Sequence, residues 1–90
     1  MKVIYKYELD TTDINVVEMP KGGEILCVHT QNDIPYIWVL VDPNETQMNR
    51  IIETFGTGHP INENDKRRYI GTYQQYNGQL MFHCFELLEN

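Results

Sequence analysis

No apolar run in the chain approaches the ~20 residues that a membrane-spanning helix requires. The opening "MKVIYKYELD" alternates and carries charge throughout, so it lacks the apolar centre of a signal peptide. Both absences lead us to expect a cytoplasmic chain with no membrane partner. Internal repeats, linkers and low-complexity tracts are also missing. Ninety residues then make one small β domain, residues 1–90, with a modest core.

Positive charge is scarce. Seven Lys and Arg against thirteen Asp and Glu give a formal charge of -6, which argues against duplex DNA as a partner. The exception is the run Lys66, Arg67 and Arg68, the one concentrated anion-attracting feature. A run of this kind is commonly a solvated face. Cysteine is scarce too. Cys27 and Cys84 stand in apolar, strand-like segments and read as reduced core residues. Cys27-Val-His29 and His83-Cys84 invite a zinc reading, but their spacing fits no recurrent site. As neighbours on a strand, His83 and Cys84 point to opposite faces. We expect no metal and no cofactor.

What is present is period-two alternation. "KVIYKYEL" puts Val3, Tyr5, Tyr7 and Leu9 on one face, and "INVVEM" is a second short strand closed by the turn "PKGG". "EILCVHTQ" leads through Asn32-Asp33 into "IPYIWVLV", which ends at Asp42-Pro43-Asn44. "TQMNRIIETF" is ambiguous by period, and its β-branched pair Ile51-Ile52 favours a strand. "NENDKRR" reads as a polar loop with at most one helical turn. Asn77-Gly78 between "YIGTYQQY" and "QLMFHCFEL" is the type I′ hairpin signal, and it sets Tyr73 opposite Phe82 and Thr72 opposite His83. The fold class is therefore all-β. We expect about seven antiparallel strands in a small sheet or partly closed barrel, with at most one short helix. Residues 34–41 and 80–85 are apolar on both faces and need cover on both, which predicts closure or a homo-oligomer.

Catalytic patterns are lacking. There is no nucleophile elbow, no paired-carboxylate motif and no H-x-E, so we expect a non-enzyme. His83 on an apolar strand reads more readily as a satisfied histidine than as a base. The segment "FGTGHPI", residues 55–61, is the richest in ligand-gripping parts. Gly56 and Gly58 can take positive φ and let backbone N–H groups converge on an anion. Thr57 and Gly58 would offer these donors, His59 a side-chain contact, and Arg67 or Arg68 the charge. Tyr73 is a candidate for stacking a base, worth ~1–3 kcal/mol. The bland alternative is a glycine-rich connector, since a lone G-x-G is weak and no phosphate-loop lysine follows.

"IYKYEL", "EMPKGGEIL", "IPYIWVLVDP", "GTGHPI", "YIGTYQ" and "FHCFE" occur in that order along nearly the whole chain. The ordered set resembles a widespread family of small bacteriophage-encoded proteins long classed as a domain of unknown function. Cys84 departs from it, standing where other members carry another apolar residue. The resemblance implies a protein made in the cytoplasm of the infected bacterial host. In size and setting the chain is similar to phage anti-defence sponges. Those proteins bind the cyclic nucleotide signals of CBASS immunity, such as 3′3′-cyclic GMP-AMP, without cleaving them. This implies a cyclic dinucleotide or related signal as ligand and a homo-oligomer, a tetramer included, as the assembly. Two alternatives stand beside it. One is a protein-binding module acting through the apolar strands. The other is a small cyclic-nucleotide phosphodiesterase using His59 or His83.

Overall fold

The computed structural model describes residues 1–88. Seven strands form, each where the alternation runs: β1 (Val3–Glu8), β2 (Ile14–Pro20), β3 (Glu24–Gln31), β4 (Ile34–Val41), β5 (Gln47–Gly56), β6 (Arg67–Gln75) and β7 (Leu80–Leu87). All pairings are antiparallel, in a three-stranded sheet A ordered β1-β4-β3 and a four-stranded sheet B ordered β2-β5-β7-β6. The expected strand count and class hold. No helix occurs among the described residues. The "NENDKRR" segment makes a turn instead, because the Asn62 side chain accepts the Asn64 N–H and the Asn62 carbonyl accepts the Asp65 N–H. Such Asx bonding competes with helix formation.

Turn chemistry fixes the registers. Asn32 and Asp33 take φ of 51° and 63°, the pair of left-handed residues that a two-residue I′ hairpin needs. The β6–β7 hairpin has the expected register, Tyr73 opposite Phe82 and Thr72 opposite His83. Its ladder stops at Gln75–Leu80, so the connection is four residues long, with Tyr76, Asn77 and Gly78 all at positive φ.

The sheets stack face to face as a sandwich. Its core is Leu9, Val17, Met19, Val28, Ile37, Val39, Val41, Ile52, Tyr73 and Cys84. Strands β3 and β6 meet at one edge, where a Cβ on Gly71 would lie 2.9 Å from Val28 Cγ1, so only glycine fits that seam. The two strands share no ladder, and the sandwich does not close into a barrel. Pro35 is tolerated in central strand β4 because its missing N–H falls opposite Leu9, one residue past the end of β1. Cys27 lies on the outer face of sheet A in register with Trp38, not in the core, whereas Cys84 is fully buried.

One ion pair lies between the sheets. Arg50 on β5 reaches Glu86 on β7 through Nε and through Nη2 at 3.0 Å, and donates to the Gly23 carbonyl at 2.9 Å. The carboxylate hydrogen bond holds the guanidinium above its ordinary pKa despite burial. Across its thin axis the Cα trace spans only 16 Å, against 39 and 34 Å in the plane. Two layers bury one face of each sheet and leave the other outward. The sandwich thus covers one face of β4, through Pro35, Ile37, Val39 and Val41, while Tyr36, Trp38 and Leu40 stay partly exposed.

Candidate functional site

The outer face of sheet B carries most of the chemistry. Antiparallel register puts side chains in rows across the strands. Phe55, His83 and Thr72 form one row, Ile14, Glu53, Phe85 and Tyr69 the next, and Val16, Ile51, Leu87 and Arg67 the third. Phe85 lies edge-on to Phe55 at 5.9 Å between ring centroids and is tilted against Tyr69 at 5.3 Å, giving a three-ring aromatic band. Tyr69 is 56% exposed, so the band opens to solvent.

A polar chain borders that band. His83 Nε2 is 2.8 Å from Thr57 Oγ1, and Nδ1 is 2.9 Å from Thr72 Oγ1, which in turn meets the Tyr69 hydroxyl at 2.5 Å. A neutral imidazole donates from one nitrogen and accepts at the other, so one threonine donates and the other accepts. Thr57 and His83 have the spacing of a nucleophile and its base. The group orienting the imidazole is a neutral hydroxyl rather than a carboxylate. Held at both nitrogens, the ring serves best as a fixed hydrogen-bonding post.

Residues 57–66 cross from the end of β5 to the start of β6 as a strap. The turn at its head differs from the expected anion nest. Gly58 has φ of 88°, as in the third position of a type II turn, but Gly56 ends β5 without positive φ. His59 N–H is used by the Gly56 carbonyl at 3.1 Å. The His59 ring folds back over Gly56, where an added Cβ would come within 2.9 Å of Cε1. His59 thereby divides two clefts. One, of about 300 Å³, is lined by Asp13, Ile14, Glu53, Thr54, Phe55, His59 and Pro60. The other, of about 360 Å³, is lined by Gly56, Thr57, His59, Gln79, Leu80, Met81 and Phe82. Both are at the small end of the range for ligand sites.

The remaining expected residues are placed otherwise. The Arg67 guanidinium is committed to Glu53 at 2.7 Å, to Asp65 at 3.2 Å and to the Asn62 carbonyl, and sits 5.3 Å from the centre of the Phe55 ring. It ties down the strap, so its charge is already neutralised. Arg68 pairs in register with Glu86 and so points to the opposite face of β6 from Arg67. The two cannot converge on one anion. Tyr73 packs in the core, tilted against Phe82 at 5.4 Å, and is no stacking platform. Thr57, Gly58 and His59 do share one surface.

Burial has a second effect on Tyr73, pushing its pKa up to about 12 from 10.0. The folded state keeps this proton longer than the unfolded state. The associated stability is complete below pH ~10 and lost as pH rises toward ~12, a change of about 3 kcal/mol. Alkaline denaturation followed by far-UV circular dichroism should therefore show a steep loss of stability in that window. Tyr73→Phe should flatten it, and an unchanged slope in that variant would assign the loss to other groups.

Sequence reasoning missed Phe55, Phe85, Tyr69 and His83 as one surface. The Asn77-Gly78 signal did reveal Thr72 facing His83. Nothing local shows that β7 pairs with β5, which is what brings Phe55 and Thr57 alongside. No cluster suited to a metal occurs among the described residues.

No curated protein and no solved structure matches the chain. A protein-family match does exist, and it spans residues 1–90. The chain belongs to the DUF7352 family, a domain of unknown function.

Proposed function

We propose that this protein is a phage anti-defence sponge that sequesters a cyclic oligonucleotide immune signal without cleaving it, in the cytoplasm of the infected host. The observation that carries the reading is the open aromatic band Tyr69–Phe85–Phe55 bordered by the hydroxyl–imidazole chain Thr57–His83–Thr72. Base stacking on such rings contributes ~1–3 kcal/mol per base, and the adjoining hydroxyls, held in place by the imidazole, supply neutral hydrogen bonds. With Arg67 already paired and Arg68 turned away, recognition works through bases and riboses more than through phosphate charge. A homo-oligomer supplies the wall that this open face lacks.

Calorimetry against 3′3′-cyclic GMP-AMP, cyclic di-GMP and cyclic trinucleotides tests the reading. We expect tight binding, intact ligand on denaturation, and affinity that changes little between low and moderate salt. His83→Ala should weaken binding roughly ten- to a hundredfold, the worth of one or two hydrogen bonds and their orientation. No heat with any cyclic nucleotide would overturn the reading. New products after incubation would replace it with a phosphodiesterase in which Thr57 and His83 act. Exposed Ile14 and Val16 beside the band support a second reading, a module that binds a host protein. Stable co-purification of such a protein, lost in Val16→Asp, would favour that one.

A further inference from the structure

Strand β1 is the free edge of sheet A, and it is unusually apolar for an edge strand. Val3 and Tyr5 face the core side yet are 40% and 42% exposed, and Ile4 on the other side is 57% exposed. Natural edges of this kind are normally covered or blunted. We infer that β1 pairs antiparallel with β1 of a second copy of this chain, joining the two A sheets into one six-stranded sheet.

Hydrogen-bond parity restricts the register. Leu9 N–H bonds to the Pro35 carbonyl at 2.9 Å, continuing the register in which Glu8 lies opposite Tyr36. In an antiparallel ladder, directly bonded pairs alternate with unbonded ones. Odd-numbered residues of β1 therefore exchange hydrogen bonds with β4. Lys2, Ile4, Lys6 and Glu8 turn their backbone groups to the free edge. A partner strand must bond even to even.

Charge then selects among the allowed registers. With the twofold axis at Tyr5, Lys2 faces Glu8 of the second copy, Ile4 faces Lys6, Val3 faces Tyr7 and Tyr5 faces Tyr5. Opposite charges meet at both ends, and β-branched and aromatic side chains meet on the core side, the favourable classes of cross-strand pair. Sliding by two residues one way opposes Lys6 to Lys6, and the other way opposes Lys2 to Lys6. Sliding by four residues would leave at most three residues of β1 paired, so one register remains that pairs most of the strand. Lys6 already lies against its own subunit, bonded to Gln31 at 2.8 Å and above the Tyr36 ring, so its stem is laid flat where Ile4 of the second copy would pack. A protein of charge -6 repels its copies, and β1 escapes that repulsion because Lys6, with Lys2 just before the strand, offsets Glu8.

The test uses the full chain without ligand, so its outcome is separate from that of nucleotide binding. Native mass spectrometry and analytical ultracentrifugation should show a dimer. In a Cys27→Ser background, Tyr5→Cys should oxidise to a covalent dimer. An unbonded antiparallel pair sets its Cα atoms about 4.5 Å apart, within disulfide reach. Ile4→Pro deletes an N–H that points only at the second copy, so it should give a monomer whose melting still shows a cooperative fold. Glu8→Lys should weaken the dimer about tenfold, and Lys2→Glu with Glu8→Lys should restore it. A monomer at all concentrations would overturn the inference. So would a dimer that cross-links through Val16→Cys on sheet B but not through Tyr5→Cys.

Discussion

Replacing Glu86 with alanine is expected to cost about 3–5 kcal/mol, the usual penalty for stripping one partner from a buried ion pair. The Glu86 side chain is 4% exposed and that of Arg50 13%, so the guanidinium left behind has little water to turn to. Its hydrogen bond to the Gly23 carbonyl would survive but cannot neutralise the charge. A domain of this size has only roughly 5–15 kcal/mol to lose. The melting temperature should fall by tens of degrees, given about 4–8 °C per kcal/mol for small domains. The double replacement Arg50→Met with Glu86→Leu should recover most of the loss, because neither charge is then buried alone. Urea unfolding of the wild type, Arg50→Met, Glu86→Leu and the double replacement closes a double-mutant cycle that measures the coupling, with Glu86→Ala unfolded beside them. A Glu86→Ala penalty below ~1 kcal/mol would mean that water reaches the pair.

Ile37→Ala should be the next most damaging change, at about 2–5 kcal/mol. Ile37 is fully buried in the central strand of sheet A, with Tyr7 and Val28 as its register partners. Truncation removes apolar contact and leaves a cavity between two sheets whose hydrogen-bonded ladders resist collapse. Val16→Ala is the matched control. It trims a β-branched side chain that is 62% exposed on the outer face of sheet B, and should change stability by under about 0.5 kcal/mol. Equal losses at both positions in denaturant melts would show that the outer face is covered in solution as firmly as the core.

The strands and hairpins of this protein are local properties, and the sequence determined them. Alternation fixes which residues of a strand share a face, and Asn32-Asp33 and Asn77-Gly78 fix two hairpin registers through the φ values that those residues tolerate. That His83 and Cys84 point apart also follows from a period of two. Sheet membership does not. The connections from β1 to β2, from β2 to β3 and from β4 to β5 change sheets, and the strap carries β6 across β7, so β5 meets β7 only through pairing between distant segments. The candidate site lives on that pairing. Phe55 and Thr57 reach His83 because β5 lies beside β7, and the same adjacency hands Arg67 to Glu53 and removes its charge from use. Tyr73 shows the same division. Its strand and hairpin partner were legible, but whether its face looks to core or solvent depends on which side sheet A packs against. Short-range sterics act over a few residues and are written in order along the chain. Burial and charge pairing depend on which distant strands come together, and only the tertiary structure decides that.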